Sequence, residues 1–244
     1  MIYSPKVMQE LLEANGFNFK KNFGQNFIID ENIINSIISN SKIDKDTLVL
    51  EIGPGAGSLT YKLGLNAKEV VCYEIDTKVK NILEHNLEGL NNVKVIYEDF
   101  LKANVKEELK KHDYNKLYVV ANLPYYITTP IIIKLIEDDL NVDKIVVMVQ
   151  KEVGDRFKAK PNTKEYNSLS IYLNYYFNVK KLMDISKNIF IPKPNVDSIV
   201  VEFSKKESLY ELKNKDLFFK LVKDSFVQKR KTIKNNLGER RGGS

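Results

Sequence analysis

The residues best suited to chemistry lie in the stretch "ANLPYYITTP" (121–130), where an amide, a proline and two tyrosines follow a short apolar run. An exocyclic amine on a nucleobase is a weak nucleophile because its lone pair is delocalised into the ring. Two acceptors on its N–H bonds draw the nitrogen toward a tetrahedral, reactive form. The side-chain oxygen of Asn122 can supply one acceptor and the Leu123 carbonyl the other. Pro124 keeps Leu123 extended, because a residue before proline avoids the helical region. Tyr125 then offers a face on which a flipped-out base can stack. No strong base is required, so in-line positioning must supply most of the rate. Phe190, in "NIFIPKPNVDS" with Pro192 and Pro194 stiffening the loop, is either a core residue or the opposite wall of a base clamp. The second reading is preferred.

A group donor must sit beside that amine. In "LVLEIGPGAGSLT", Gly53, Gly55 and Gly57 stand between a strand and a helix, where glycine lets the backbone approach a ligand and the helix start offers unpaired N–H groups. A dinucleotide fingerprint would want Gly or Ala at position 58, and Ser58 is there. Glu51 is a poor neighbour for a pyrophosphate and a good partner for an ammonium. Glu74 ends the next strand roughly 20 residues after Gly53, the position from which a carboxylate accepts from both ribose hydroxyls. Asp99, in "YEDF", can accept from an adenine amino group. Either acid alone could be a solvated strand end or a helix cap. Together, at the carboxyl ends of successive parallel strands, they line one crevice, and the ligand they suit is S-adenosylmethionine.

The elements that must position these groups alternate along the chain. "TLVLEI", "EVVCYEI", "VKVIY", "KLYVVAN" and "KIVVMVQ" read as strands, with "SLTYKLGLN", "DTKVKNILEHNL", "NVKEELKKH" and "TTPIIIKLIEDDL" as the helices between them. "NVKKLMDI" and "DSIVVEF" read as a closing strand pair. The expected fold is α/β: a doubly wound, mainly parallel, seven-stranded sheet of Rossmann-like type. From residue 205 the pattern turns helical, with Leu217, Phe218, Leu221 and Val222 on one face. The expected domains are residues 1–204, with an N-terminal helical extension, and a small helical domain over 205–244.

Composition narrows the partners. The chain has 244 residues, 43% of them hydrophobic, enough to bury a sizeable core. It contains no run of roughly 18 apolar residues and its start does not read as a secretory signal, so it is expected in the cytoplasm and off the membrane. One cysteine, Cys72, and two separated histidines, His85 and His112, argue against a metal site. The formal charge is +6, with positive clusters at Lys20–Lys21 and Lys229–Arg230–Lys231 that suit a phosphate backbone.

Eight ordered motifs, "KKNFGQNFIID", "EIGPGAGSLT", "YEID", "EDF", "NLPYYITTP", "VQKEVGDR", "EYNSLS" and "FIPKPNVDS", resemble those of the ribosomal RNA adenine dimethyltransferases. The resemblance covers residues 17 to 237. "VQKEVGDR" and "PNTKEYNSLS" are more similar to the small-subunit branch than to the erythromycin-resistance branch. It implies that Asn26 and the Ile28 backbone close over the methionine end of the cofactor, that Gly53 lies against it, and that Glu74 and Asp99 hold its ribose and adenine. Asn122 would bridge cofactor and target amine, and Tyr125 and Phe190 would hold the target adenine. The implied product is a pair of adjacent N6,N6-dimethyladenosines near the 3′ end of small-subunit RNA, made on a 30S-type precursor by a monomer. "FVQKRKTIKNNL" resembles the family's basic C-terminal helix, after which the family continues further, so the helical domain is expected to be shortened here.

Overall fold

The computed structural model describes residues 3–16, 26–123, 125–207, 209–228 and 231–238, without the side chains at 125 and 126. Lys20, Lys21, Pro124, the Tyr125 ring, Lys229 and Arg230, all singled out above, lie outside the described residues.

The elements run α1 (Pro5–Ala14), β1 (Phe27–Ile28), α2 (Glu31–Ser41), β2 (Thr47–Ile52), α3 (Ser58–Asn66) and β3 (Glu69–Tyr73). Next come α4 (Lys80–Asn86), β4 (Val93–Ile96), α5 (Val105–Leu109), β5 (Lys116–Asn122), α6 (Tyr125–Glu137), β6 (Lys144–Gln150) and α7 (Lys151–Phe157). The chain continues through α8 (Ser168–Tyr176), β7 (Phe177–Ile185), β8 (Phe190–Ile191), β9 (Ser198–Lys205), α9 (Lys215–Ser225) and α10 (Ile233–Gly238). Local chemistry sets several starts. Pro5 opens α1 at a position where its missing N–H costs nothing. Asp30 caps α2 by accepting from the amides of Asn32 and Ile33. Asn167 and Ser170 form a reciprocal capping box on α8. Helix α6 begins at Tyr125, ahead of the expected start at Thr128, and carries Pro130 in its interior.

The main sheet has the order β4-β3-β2-β5-β6-β9-β7. Its first five strands are parallel, and β9 runs antiparallel to both β6 and β7. This is the expected doubly wound, seven-stranded, mainly parallel sheet, closed by the expected strand pair. Every residue of β2 is buried, as a strand covered on both faces requires. Leu48, Leu50 and Ile52 face a core with Ile131, Leu135 and Phe157. Val49 faces the other, with Ile34, Ile37, Leu59 and Leu63 of α2 and α3. Strand order reverses between β2 and β5, which opens a crevice at their carboxyl ends. A second, two-stranded sheet pairs β1 with β8. No sequence pattern announced it.

Two packing details differ from, or sharpen, the sequence reading. On α9, Phe218 and Val222 are half-buried, but Leu217 and Leu221 are 51% and 44% exposed. The helix is rotated because Phe219 stacks on Tyr176 at 5.9 Å and meets Tyr172 edge-on at 4.4 Å. On α7, a Cβ on Gly154 would stand 2.3 Å from Ile199 Cδ1 and 3.1 Å from Val201 Cγ2 of β9. Gly154→Ala is therefore expected to cost about 1–3 kcal/mol of stability by overpacking. A variant melting at the parent temperature would show that α7 can move away from β9.

Candidate active site

A cavity of about 630 Å³ occupies the crevice, within the roughly 300–1,000 Å³ range of small-molecule sites. Asn26, Ile28, Gly53, Glu74, Asp99, Asn122, Leu123 and Phe190 all line it, so the described site residues named from sequence converge on one space. Gly53 sits at φ +72°, and nothing lies within 4 Å of the point where its Cβ would be, so the turn presents bare backbone to the cavity. Its N–H donates to the Tyr73 carbonyl at 2.9 Å, which ties the turn to β3. Gly55, at φ +58°, donates its N–H to Glu74 Oε2 at 3.0 Å, and Asp76 N–H donates to Oε1 at 2.8 Å. Burial raises the Glu74 pKa, and these two backbone donors oppose that rise. The carboxylate is thus held in one orientation, with lone pairs left for two hydroxyls.

Asp99 keeps its carboxyl near the cavity by accepting from the Leu101 amide at 3.0 Å. On the β2 side, Glu51 is 2% exposed and accepts from Cys72 Sγ at 3.5 Å. Burial, with the Glu74 charge adding to it, pushes its carboxyl up to about 7. Cys72 is fully buried within β3. Among the described residues no cluster of His, Cys, Asp and Glu could hold a metal.

Target-side geometry follows from β5. Asn122 ends that strand, and its Nδ2 donates to the Asn26 carbonyl at 2.9 Å. A carbonyl can only receive a donor, so the amide nitrogen is turned toward Asn26. Oδ1 accepts no bond among the described residues and remains available as an acceptor. Leu123 is fixed by donating its N–H to the Met148 carbonyl at 3.1 Å. Phe190 is 3% exposed and belongs to the core cluster with residues of β2 and β3, as the first of its two readings has it, and it also lines the cavity. Its backbone pairs with Ile28 across the site.

A family model described as ribosomal RNA adenine dimethylase matches residues 16–243. The chain belongs to this family. It is similar to ribosomal RNA small subunit methyltransferase A of Staphylococcus aureus (strain bovine RF122 / ET3-1), 52% identical over 238 residues, which span 96% of this chain and 80% of the relative. Among solved structures it is similar to a dimethyladenosine transferase from Plasmodium falciparum, at 32% identity and TM-score 0.74 over 86% of this chain and 74% of the other. It is also similar to the 23S rRNA methyltransferase ErmE, at 25% identity and TM-score 0.69 over 88% and 84%. This adenine dimethylase is an S-adenosylmethionine-dependent methyltransferase.

Two wall residues of the adenine dimethylase escaped the sequence reading. Ile75 is 68% exposed and Leu101 is 38% exposed, yet both line the cavity, one next to Glu74 and the other near Asp99. Large apolar side chains left open inside a polar-rimmed cavity suit the faces of an adenine ring. With the bare Gly53 backbone and the braced Glu74, the residues present fit an adenosyl group. Glu74→Ala is expected to weaken S-adenosylmethionine binding by about 1–3 kcal/mol, the cost of losing a charged acceptor. Calorimetry showing unchanged affinity would remove Glu74 from the site.

Proposed function

We propose that this enzyme transfers methyl groups from S-adenosylmethionine to the N6 amino groups of two adjacent adenosines near the 3′ end of small-subunit ribosomal RNA. It would act in the cytoplasm as a monomer on a 30S-type precursor particle. The observation that carries the reading is the Asn122 amide, turned by the Asn26 carbonyl so that Oδ1, which accepts no bond among the described residues, is left at the cavity. When bound, the cofactor supplies an electrophilic methyl group on a sulfonium. Asn122 Oδ1 and the Leu123 carbonyl accept the two N–H bonds of the target amine and aim its lone pair. Tyr125 and Phe190 clamp the adenine ring, with Pro124 holding the turn. Glu74 takes the ribose hydroxyls, Asp99 the adenine amino group, and Gly53 with Asn26 and the Ile28 backbone the methionine end. Once the methyl has transferred, the nitrogen proton is acidic enough to leave to water.

Residues 1–204 form the catalytic unit in this reading, and 205–244 carry the basic segment toward RNA. Among the described residues no helix is long and apolar enough to cross a membrane. The test is methylation of purified small subunits lacking the modification, with large subunits in parallel, followed by mass spectrometry of the RNA. Dimethylation of two neighbouring adenosines in the small-subunit RNA is expected. Incorporation into large-subunit RNA alone would overturn the choice of substrate.

A further inference from the structure

Residues 26–29 connect the glycine turn, the end of β5 and the segment around Phe190. The Asn26 carbonyl receives the Asn122 amide at 2.9 Å. The Phe27 ring stands 3.1 and 3.3 Å from the point a Gly55 Cβ would occupy, and Gly55 in turn braces Glu74. Ile28 pairs with Phe190, and the Ile29 N–H donates to the Ile189 carbonyl at 2.9 Å. A ladder of two residues on each strand is a weak specifier of register by itself. What fixes this one is the Phe27 side chain, 6% exposed among Met8 and Leu12 of α1, Ala56 of the glycine turn, and Val79 and Ile82. The ring thus packs between α1 and the glycine turn, one residue from the Asn26 carbonyl.

We propose that Phe27 is a positioning residue that holds the glycine turn and the Asn122 amide in register, so that truncating it slows methyl transfer even with cofactor saturating. The proposal rests on the reading of Asn122 as the acceptor for the target amine. If β1 relaxes, the Asn26 carbonyl moves and the amide is free to turn its nitrogen toward the base. A donor then faces the target N–H, and a misplacement of about 1 Å is already worth roughly 100-fold in rate. The effect would therefore run through Asn122, which separates it from a general loss of packing.

Single-turnover methylation at saturating S-adenosylmethionine tests this, with thermal melts to establish folding. Phe27→Ala is expected to slow the step about tenfold or more, and Phe27→Leu, which refills the cluster, to recover most of the rate. In the Asn122→Ala background, adding Phe27→Ala should change little, because the group it positions is already gone. A Phe27→Ala rate within about twofold of the parent would overturn the proposal. So would rate losses that multiply in the double variant. If Asn122→Ala itself retains the parent rate, the functional reading fails instead, and the Phe27 experiment identifies that case separately. Should Phe27→Ala not fold, Phe27→Val carries the same comparison.

Discussion

Asn122→Ala is expected to lower the single-turnover rate of methyl transfer by roughly 100-fold or more, the scale of losing one preorganised polar partner in a water-poor site. The side chain has a donor end with two N–H groups and an acceptor end, and the fold ties the donor end to the Asn26 carbonyl through one of them. With Nδ2 committed to the Asn26 carbonyl, Oδ1 is the atom left to receive the target N–H. Alanine removes both the acceptor and the tie to Asn26. Cofactor affinity is expected to fall by less, because Gly53, Glu74 and Asp99 are untouched by the change. Tyr125→Phe, which preserves a stacking face, is expected to keep most of the activity, and Tyr125→Ala is not. A folded Asn122→Ala protein that methylates within a few-fold of the parent rate at saturating cofactor would leave Asn-Leu-Pro-Tyr as a strand-end turn.

Most of this framework was legible because buried parallel strands leave a strong mark. "TLVLEI", "KLYVVAN" and "KIVVMVQ" coincide with β2, β5 and β6, since a strand covered on both faces must be apolar throughout. The polar residues that interrupt such runs, Glu51 and Asn122, stood out for the same reason. The run "EVVCYEI" overran its strand: β3 stops at Tyr73, and Ile75 projects into the cavity. Apolar periodicity cannot separate an isoleucine that packs on the sheet from one that awaits a ligand. Strands of two residues carry no period at all, so the pairing of Phe27–Ile28 with Phe190–Ile191, which joins the two sides of the site, was invisible. The face of α9 was misplaced because an aromatic cluster on α8, and not the spacing of leucines, sets its rotation. How the glycine turn, Phe27 and α1 lock together depends on contacts between segments far apart in sequence.

Glu51→Gln is expected to stabilise the ligand-free protein above pH 7 and to weaken cofactor binding there. Burial at the cavity wall raises this carboxyl from 4.5 to about 7. The folded protein therefore holds a proton that the unfolded chain gives up earlier. That contribution to stability is fully present below 4.5 and is lost as pH rises through about 7. The difference amounts to ~3 kcal/mol once both states are ionised, at about 1.4 kcal/mol per unit. Glutamine does not titrate, so the variant should gain on the parent between these limits and hold a constant lead above them. In the reading in which Glu51 faces the cofactor ammonium, the bound cation offsets what the buried carboxylate costs at neutral pH. Binding then favours the ionised form, so parent affinity should rise as pH increases from 5 to 8, while the variant stays weak and flat. Thermal melts of the free proteins and calorimetric titrations at both pH values measure the two effects independently. Equal stability differences at pH 5 and 8 would show that Glu51 does not titrate in this window, and equal affinities would take it out of the cofactor site.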